Sequence, residues 1–404
     1  MSMGKGIPEF IPPLFLQTSS ALVRLISCML CLALSGCATW QTPEAFDDSV
    51  LRARAITEHL NGVNLSAAVL SSNDSQRMFG ADINATGVQP VWIEVENRSS
   101  QMLWLLRTGT DPDLFSPLEV AWPFHTFFAS KTNTRIDEHF DRLSFQNPVA
   151  PGTTQSGILF TTPQLQIRIL SVDLLGQGEV FPFTLFLEVP DDEMNGSPVK
   201  VKINQLIQTP AIDYQDTERF RTRLAQLPCC ATNRDRTKGG DPLNIILIGQ
   251  LDHIAAALIH RGFSFDMLDF DKAQWLFSRP PDLVARKKGN KNLPKIWLRI
   301  WVAPLRFKGQ AVFLAQAGRP LGWRLEELKE KDDVLDPNID EIRNLLIQDL
   351  LYSGGLEKLA FIPGVETTLP DGSSRYHTDG LRSVLFLTNR PLSLSDLEIL
   401  DWYP

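Results

Sequence analysis

From Val63 to about Ile207 the chain is a succession of short runs in which apolar and polar residues alternate between turn residues. Val91-Trp92-Ile93-Glu94-Val95 precedes the polar turn Glu96-Asn97-Arg98-Ser99-Ser100, and Met102-Leu103-Trp104-Leu105-Leu106 follows it. Further runs occupy residues 157–160, 165–170, 181–189 and 199–203. A period of two places one face of each strand in a core. Short strands at this spacing predict a β-sandwich domain over residues 62–208. Ahead of it, residues 73–79 predict one or two helical turns, and Phe46, Val50 and Leu51 give residues 43–60 a helical spacing.

The pattern changes after Pro210, Pro228 and Lys238-Gly239-Gly240, so residues 209–240 read as a linker. Beyond it, residues 244–249 form an apolar run ending in Gly249, and residues 251–261 repeat apolar positions at helical spacing. Two alternating runs, 295–302 and 310–315, read as a hairpin. Asp336 as N-cap with Pro337 behind it opens a second helix to Tyr352, closed by Gly354-Gly355. Strands at 358–362 and 383–387 complete the order βαββαββ over residues 241–404. That order predicts an α+β sandwich with helices on one face of a mostly antiparallel sheet.

Upstream of all this, Arg24 precedes an apolar run, residues 25–34, that breaks at Ser35-Gly36-Cys37. The run is far shorter than the roughly 20 residues a spanning helix needs and has the form of a signal peptide. Leu34-Ser35-Gly36-Cys37 resembles the lipobox of bacterial lipoproteins. The resemblance implies that residues 1–36 are removed, that the Cys37 thiol carries lipid, palmitate included, and that residues 37–61 form a lipidated N-terminal segment. Ala38, where aspartate would signal retention, implies an outer-membrane address facing the periplasm. The implied partners are the membrane, through the anchor, and other envelope proteins.

The formal net charge is −8. Lys5, Arg24 and Glu9 leave with residues 1–36, which makes the remainder one unit more negative. Such a chain repels nucleic acid phosphates, and the run Arg286-Lys287-Lys288 with Lys291 reads as a solvated loop. Of five cysteines, only Cys229 and Cys230 remain after the leader and Cys37 are set apart. They form either a vicinal disulfide, which an oxidising envelope permits, or two free or intermolecular thiols. Four ligands for zinc are not at hand, so neither a metal nor a cofactor is expected.

Residues from about Gly240 to Pro404 resemble the LssY C-terminal domain family. The resemblance rests on Asp241-Pro242-Leu243-Asn244-Ile245, the helix after it, Leu298-Arg299-Ile300-Trp301, and Asp336-Pro337-Asn338-Ile339-Asp340-Glu341-Ile342-Arg343. It implies a bacterial, usually membrane-associated module without an established activity. Relatives often carry a histidine shortly before the Asp-Pro pair, whereas residues 329–335 of this chain contain none.

The six histidines fall at 59, 125, 139, 253, 260 and 377. His253 and His260 are seven apart on one helix, roughly 10 Å at 1.5 Å per residue, and read as surface or boundary residues. Tyr376-His377-Thr378-Asp379-Gly380 sets an imidazole near a carboxylate, which suits acid/base chemistry. Arg299, flanked by apolar residues and two tryptophans, requires a carboxylate; Asp340 is the candidate, with Arg343 three residues on. These observations predict a non-catalytic binding or scaffold lipoprotein, an accessory of an envelope or secretion system. The alternative is an envelope hydrolase acting on an acyl or phosphoryl group through His377 and Asp379.

Overall fold

A computed structural model describes residues 40–402 except 41–42, 44–46, 111–113, 128, 165–166, 191–210, 238, 267–273, 288–295, 322–330, 366–375 and 389–390. Cys37 and the strand predicted at 199–203 lie outside the described residues.

Helix α1 (Ser49–Arg54) leads into strands β1 (Ile56–Leu60) and β2 (Val63–Val69), helix α2 (Ser72–Phe79) and strand β3 (Gln89–Asn97). The helical spacing of residues 43–60 therefore fails at its second half. Asn61 and Gly62 both adopt positive φ, the Asn-Gly turn that matches strand twist, and β1 pairs with β2 from Ile56↔Ala67 to Leu60↔Val63. Strand β4 (Trp104–Leu105), helices α3 (Arg107–Thr110), α4 (Pro117–Ala121) and α5 (Ser130–Leu143), and strands β5 (Thr153–Thr161), β6 (Ile167–Leu175) and β7 (Val180–Glu188) follow.

Strands β1-β2-β3-β5 make one sheet and β4-β6-β7 another. Their inner faces meet through Val63, Leu65, Val91 and Ile93 on one side and Leu170, Val172 and Leu185 on the other. Burying each such side chain stabilises the fold by about 1.5–3 kcal/mol. The outer face of the first sheet, with Trp92, Ile158 and Phe160, is covered by Phe79, Val120, Phe124, Ile136 and Phe140. The sandwich thus carries a third, helical layer that alternation alone did not predict. Helix α5 buries only Ile136 and Phe140, too few apolar positions to stand out from its polar surroundings.

Residues 209–240 are a second correction. They carry β8 (Ile212–Tyr214), helix α6 (Thr217–Ala225), β9 (Cys230–Thr232) and the start of β10 (Gly239–Pro242), and Phe220 and Leu224 of α6 are fully buried. This span is part of the C-terminal core, because helix-spaced apolar residues outweigh the breakers around them. Then come β11 (Ile245–Gly249), α7 (Leu251–Ile259), β12 (Phe263–Asp266), β13 (Leu283–Lys287), β14 (Ile296–Phe307), β15 (Gln310–Gly318), β16 (Pro320–Leu321) and β17 (Lys331–Leu335). Helix α8 (Ile339–Tyr352) and strands β18 (Leu356–Pro363), β19 (Leu381–Leu387) and β20 (Glu398–Ile399) complete the chain. Every element of the predicted βαββαββ order is present, with β12, β13, β16 and β17 inserted. Arg286 and Lys287 of the basic run lie in β13 rather than in a loop.

The C-terminal sheet runs β12-β13-β14-β15-β11-β19-β18-β20, with β8 beside β14. Central strand β11 is antiparallel to β15 and parallel to β19. Its alternation sends Ile245 and Leu247 toward α7 and α8, where Ile254, Leu258, Ile342 and Leu346 pack. Ile246 and Ile248 face Phe220, Trp301 and Trp402, so helices lie on both faces and not on one. Ile169 of β6 and Phe186 of β7 join the α7 side, which ties the two halves together. Asn338, not Asp336, caps α8, accepting from the Glu341 N–H at 3.1 Å. No helix among the described residues is long and apolar enough to cross a membrane.

Candidate functional site

Strand β14 sets Leu298 and Ile300 against the helices and turns Arg299 to the opposite face. Its neighbour across the ladder is Gln316 of β15, whose Oε1 accepts from Arg299 Nη1 at 2.9 Å. The carboxylate is Asp241 of β10, 3.8 Å from the same nitrogen. Asp241 also accepts from Gln316 at 3.3 Å, from the Tyr376 hydroxyl and from Gln274. Arg299 further lies 5.4 Å from the Trp297 ring centroid. The predicted Arg299–Asp340 pair is not formed. Helix α8 packs Ile342 and Leu346 on the other face of the sheet, so its first turn cannot meet a guanidinium pointing away from it.

Asp340 serves Arg343 instead, at 3.4 Å. Arg343, 3 % exposed, donates both Nη atoms to Asp379 at 2.8 and 2.9 Å and a further bond to the Leu381 carbonyl at 2.8 Å. Asp340 in turn accepts from the Thr378 hydroxyl at 2.9 Å and the Asp379 N–H at 2.6 Å. Hydrogen bonds from Arg343 hold the Asp379 carboxyl below the usual range, against the opposing effect of burial. A carboxylate held this way is a poor proton acceptor for His377, whose ring is exposed and whose backbone N–H is held by the Pro337 carbonyl at 2.8 Å. Residues 376–379, where sequence spacing suggests an acid/base pair, form a corner held by Arg343 and Asp340. It joins α8 to the start of β19.

Cys229 and Cys230 are joined as a vicinal disulfide. Beside them Arg382, fully buried, donates to the carbonyls of Pro228, Leu243 and Gly364 at 2.7–2.8 Å, and burial pushes its pKa down to about 10.

The described residues enclose a different concavity, a cleft of about 260 Å³ between the N-terminal sheets and α7. Glu58, His59, Asp173 and Thr184 line it from one side; Gln250, Asp252, His253, His260, Gly355 and Thr388 line it from the other. Strands β11 and β19 run parallel with Ile248 beside Phe386, and both carboxyl ends open into this cleft through Gln250 and Thr388. Space beyond the carboxyl ends of adjacent parallel strands is the general place for ligands in open sheets with helices. Gly249 makes the tight exit from β11: its φ is +153°, and a Cβ there would stand 2.9 Å from the Leu387 carbonyl oxygen.

Electrostatics sharpen the cleft. His260, the C-cap of α7, places Nε2 3.3 Å from Asp173 Oδ2 and 3.2 Å from Ser171 Oγ. Burial pushes the Asp173 carboxyl up, and the His260 imidazole offsets part of that rise. His253 is pushed down by burial, opposed by the Leu387 carbonyl that holds its ring. Its Nδ1 is buried with no hydrogen-bond partner. Among the described residues, the lining holds carboxylates and imidazoles and no lysine or arginine. No three of the described His, Cys, Asp and Glu side chains are grouped to hold a metal ion.

Sequence spacing set His253 and His260 aside because it considered their own helix alone. The missing signal was on β6, where Ser171 and Asp173 alternate with Leu170, Val172 and Leu174, giving the strand a polar outer face beside α7.

Residues 271–381 match the model of the LssY C-terminus family. The matched segment contains Gln274, Arg299, Gln316, Arg343, Tyr376 and Asp379, and among the described residues it reaches the cleft through 353–355 alone. No curated protein matches the chain.

Proposed function

We propose that this chain is a lipid-anchored protein of the bacterial outer membrane, facing the periplasm, which binds a small cationic ligand in the cleft between its two halves without catalysing a reaction. The cleft carries this reading: Asp173 lines it with a carboxyl that burial pushes up even with His260 at 3.3 Å, and His59 and His253 line it as further acceptors. An organic amine can reach such scattered acceptors, and it relieves the burial penalty on Asp173. The anchor rests on the lipobox resemblance at Cys37, three residues ahead of Trp40, which is docked on the folded domain. Calorimetric titration with spermidine tests the binding. The affinity should fall about tenfold in Asp173→Asn, the loss of one charge-assisted contact. Binding insensitive to Asp173→Asn, or no heat at all, contradicts the reading.

The hydrolase alternative keeps His377 as its base. Arg343 disfavours it by occupying both oxygens of Asp379. Turnover of nitrophenyl acetate or nitrophenyl phosphate that disappears in His377→Ala would restore it.

A further inference from the structure

The helical layer over the first sheet exposes apolar side chains that the core does not need. Leu118 is 51 % exposed, Trp122 66 % and Phe127 89 %, all within ten residues that pack on α5. Single exposed apolar residues need no explanation; three within ten residues of one segment that polar contacts hold in place do. Ser116 and Glu119 form a capping box that fixes α4. His125 Nε2 lies 2.7 Å from Asp137, and Thr126 exchanges two 3.0 Å hydrogen bonds with the Asn133 side chain. The segment bearing Trp122 and Phe127 is therefore pinned at three points while its rings face outward.

The same layer receives the start of the described chain. Trp40 donates to the Phe79 carbonyl at 2.8 Å, and its ring lies 6.4 Å from His139 of α5. His139 adjoins Phe140 at 6.3 Å, and Phe140 adjoins Phe124 at 5.9 Å. Phe124 is two residues from Trp122. Two residues separate Cys37 from Trp40, so the three steps between them reach at most about 11 Å. An acylated Cys37 thus enters the bilayer beside this layer and not from the C-terminal half.

We propose that Leu118, Trp122 and Phe127 form a membrane-contact surface that seats the helical layer in the interfacial zone of the bilayer carrying the anchor. This rests on the lipid-anchor reading above. Tryptophan suits the zone between headgroups and acyl chains, where one side of the ring is apolar and the other wet, and leucine and phenylalanine bury their apolar side chains just beneath it. A tether alone leaves the protein free to tumble; a second contact through one pinned segment restricts that motion.

The test reconstitutes the lipidated full chain in phosphatidylethanolamine and phosphatidylglycerol vesicles doped with brominated phosphatidylcholine. Bromine quenches only tryptophans that enter the bilayer. The surface predicts marked quenching that is largely lost in Trp122→Phe, and reduced in a Leu118→Ser, Phe127→Ser double variant that retains the wild-type melting temperature. Equal quenching in wild type and Trp122→Phe overturns it, as does no quenching in a chain that carries palmitate on Cys37. Where Cys37 carries no palmitate, the anchor reading fails separately. Co-sedimentation of the unacylated chain with the same vesicles then decides the surface, upheld by Trp122-dependent binding and overturned by its absence. Self-association that depends on Trp122, without quenching, assigns the patch to a second copy and also overturns the proposal.

Discussion

Arg343 and Asp379 meet as two parallel forks, with Nη1 on Oδ1 at 2.8 Å and Nη2 on Oδ2 at 2.9 Å. This pair, and not an Arg299–Asp340 bridge, fixes the first turn of α8 to the strand beside it. Arg343→Leu should cost about 1–3 kcal/mol, because the Asp379 side chain is 43 % exposed and can turn to water. Thermal unfolding reads this as a drop of several degrees, and an unchanged midpoint would mean the forks contribute nothing.

Arg299 and Asp241 make the second structural centre, and a double-mutant cycle identifies the partner. Asp241→Ala removes the carboxylate that lies 3.8 Å from the buried Arg299 guanidinium, a loss of about 3–5 kcal/mol. Combined with Arg299→Ala, it should couple by about 0.5–3 kcal/mol, whereas Asp340→Ala with Arg299→Ala should add within roughly 0.5 kcal/mol. Strong coupling to Asp340 would contradict the assignment to opposite faces of the sheet.

Much of the fold was legible because its signals are local. Alternation in residues 296–302 correctly separated Leu298 and Ile300 from Trp297, Arg299 and Trp301, and glycines marked the ends of β11 and α8. The same alternation contained the answer to the Arg299 pairing, since a helix packing on Leu298 must lie away from Arg299. What was not legible is long-range. The Asp241 carboxylate reaches Arg299 across 58 positions of sequence, and the cleft forms only when α7 docks against β6 and β7. The sequence of neither half shows the complementary face of the other.

Proton uptake gives a third expectation. Burial lowers the imidazole pKa of both His139 and His253 below the ordinary value of 6.5. A depressed imidazole contributes stability that is full above pH 6.5 and is lost as the pH falls through the lowered value. Denaturant midpoints should therefore fall between pH 7.5 and pH 5, with His253→Gln and His139→Gln each flattening part of the slope. Asp173, pushed up by burial, works in the opposite sense, so each variant is compared with wild type at both pH values. Slopes identical in all three proteins would refute the assignment.

Gly157 tests the close crossing in the N-terminal half. A Cβ there would stand 2.4 Å from the Phe145 Cα and 2.6 Å from its nitrogen, both backbone atoms with little room to move. Gly157→Ala should destabilise by about 1–3 kcal/mol through forced overpacking, visible as a lowered melting temperature. A stabilised variant would show that residues 144–145 do not lie on β5 as described.

The central claim is that the chain is held at the envelope through Cys37. Metabolic labelling with palmitate, followed by separation of inner and outer membranes, tests it most directly. The account predicts label on the wild-type chain in the outer-membrane fraction, and no label with release from the membrane in Cys37→Ser. Label that survives Cys37→Ser, or a wild-type chain that is unlabelled and freely soluble, would contradict it.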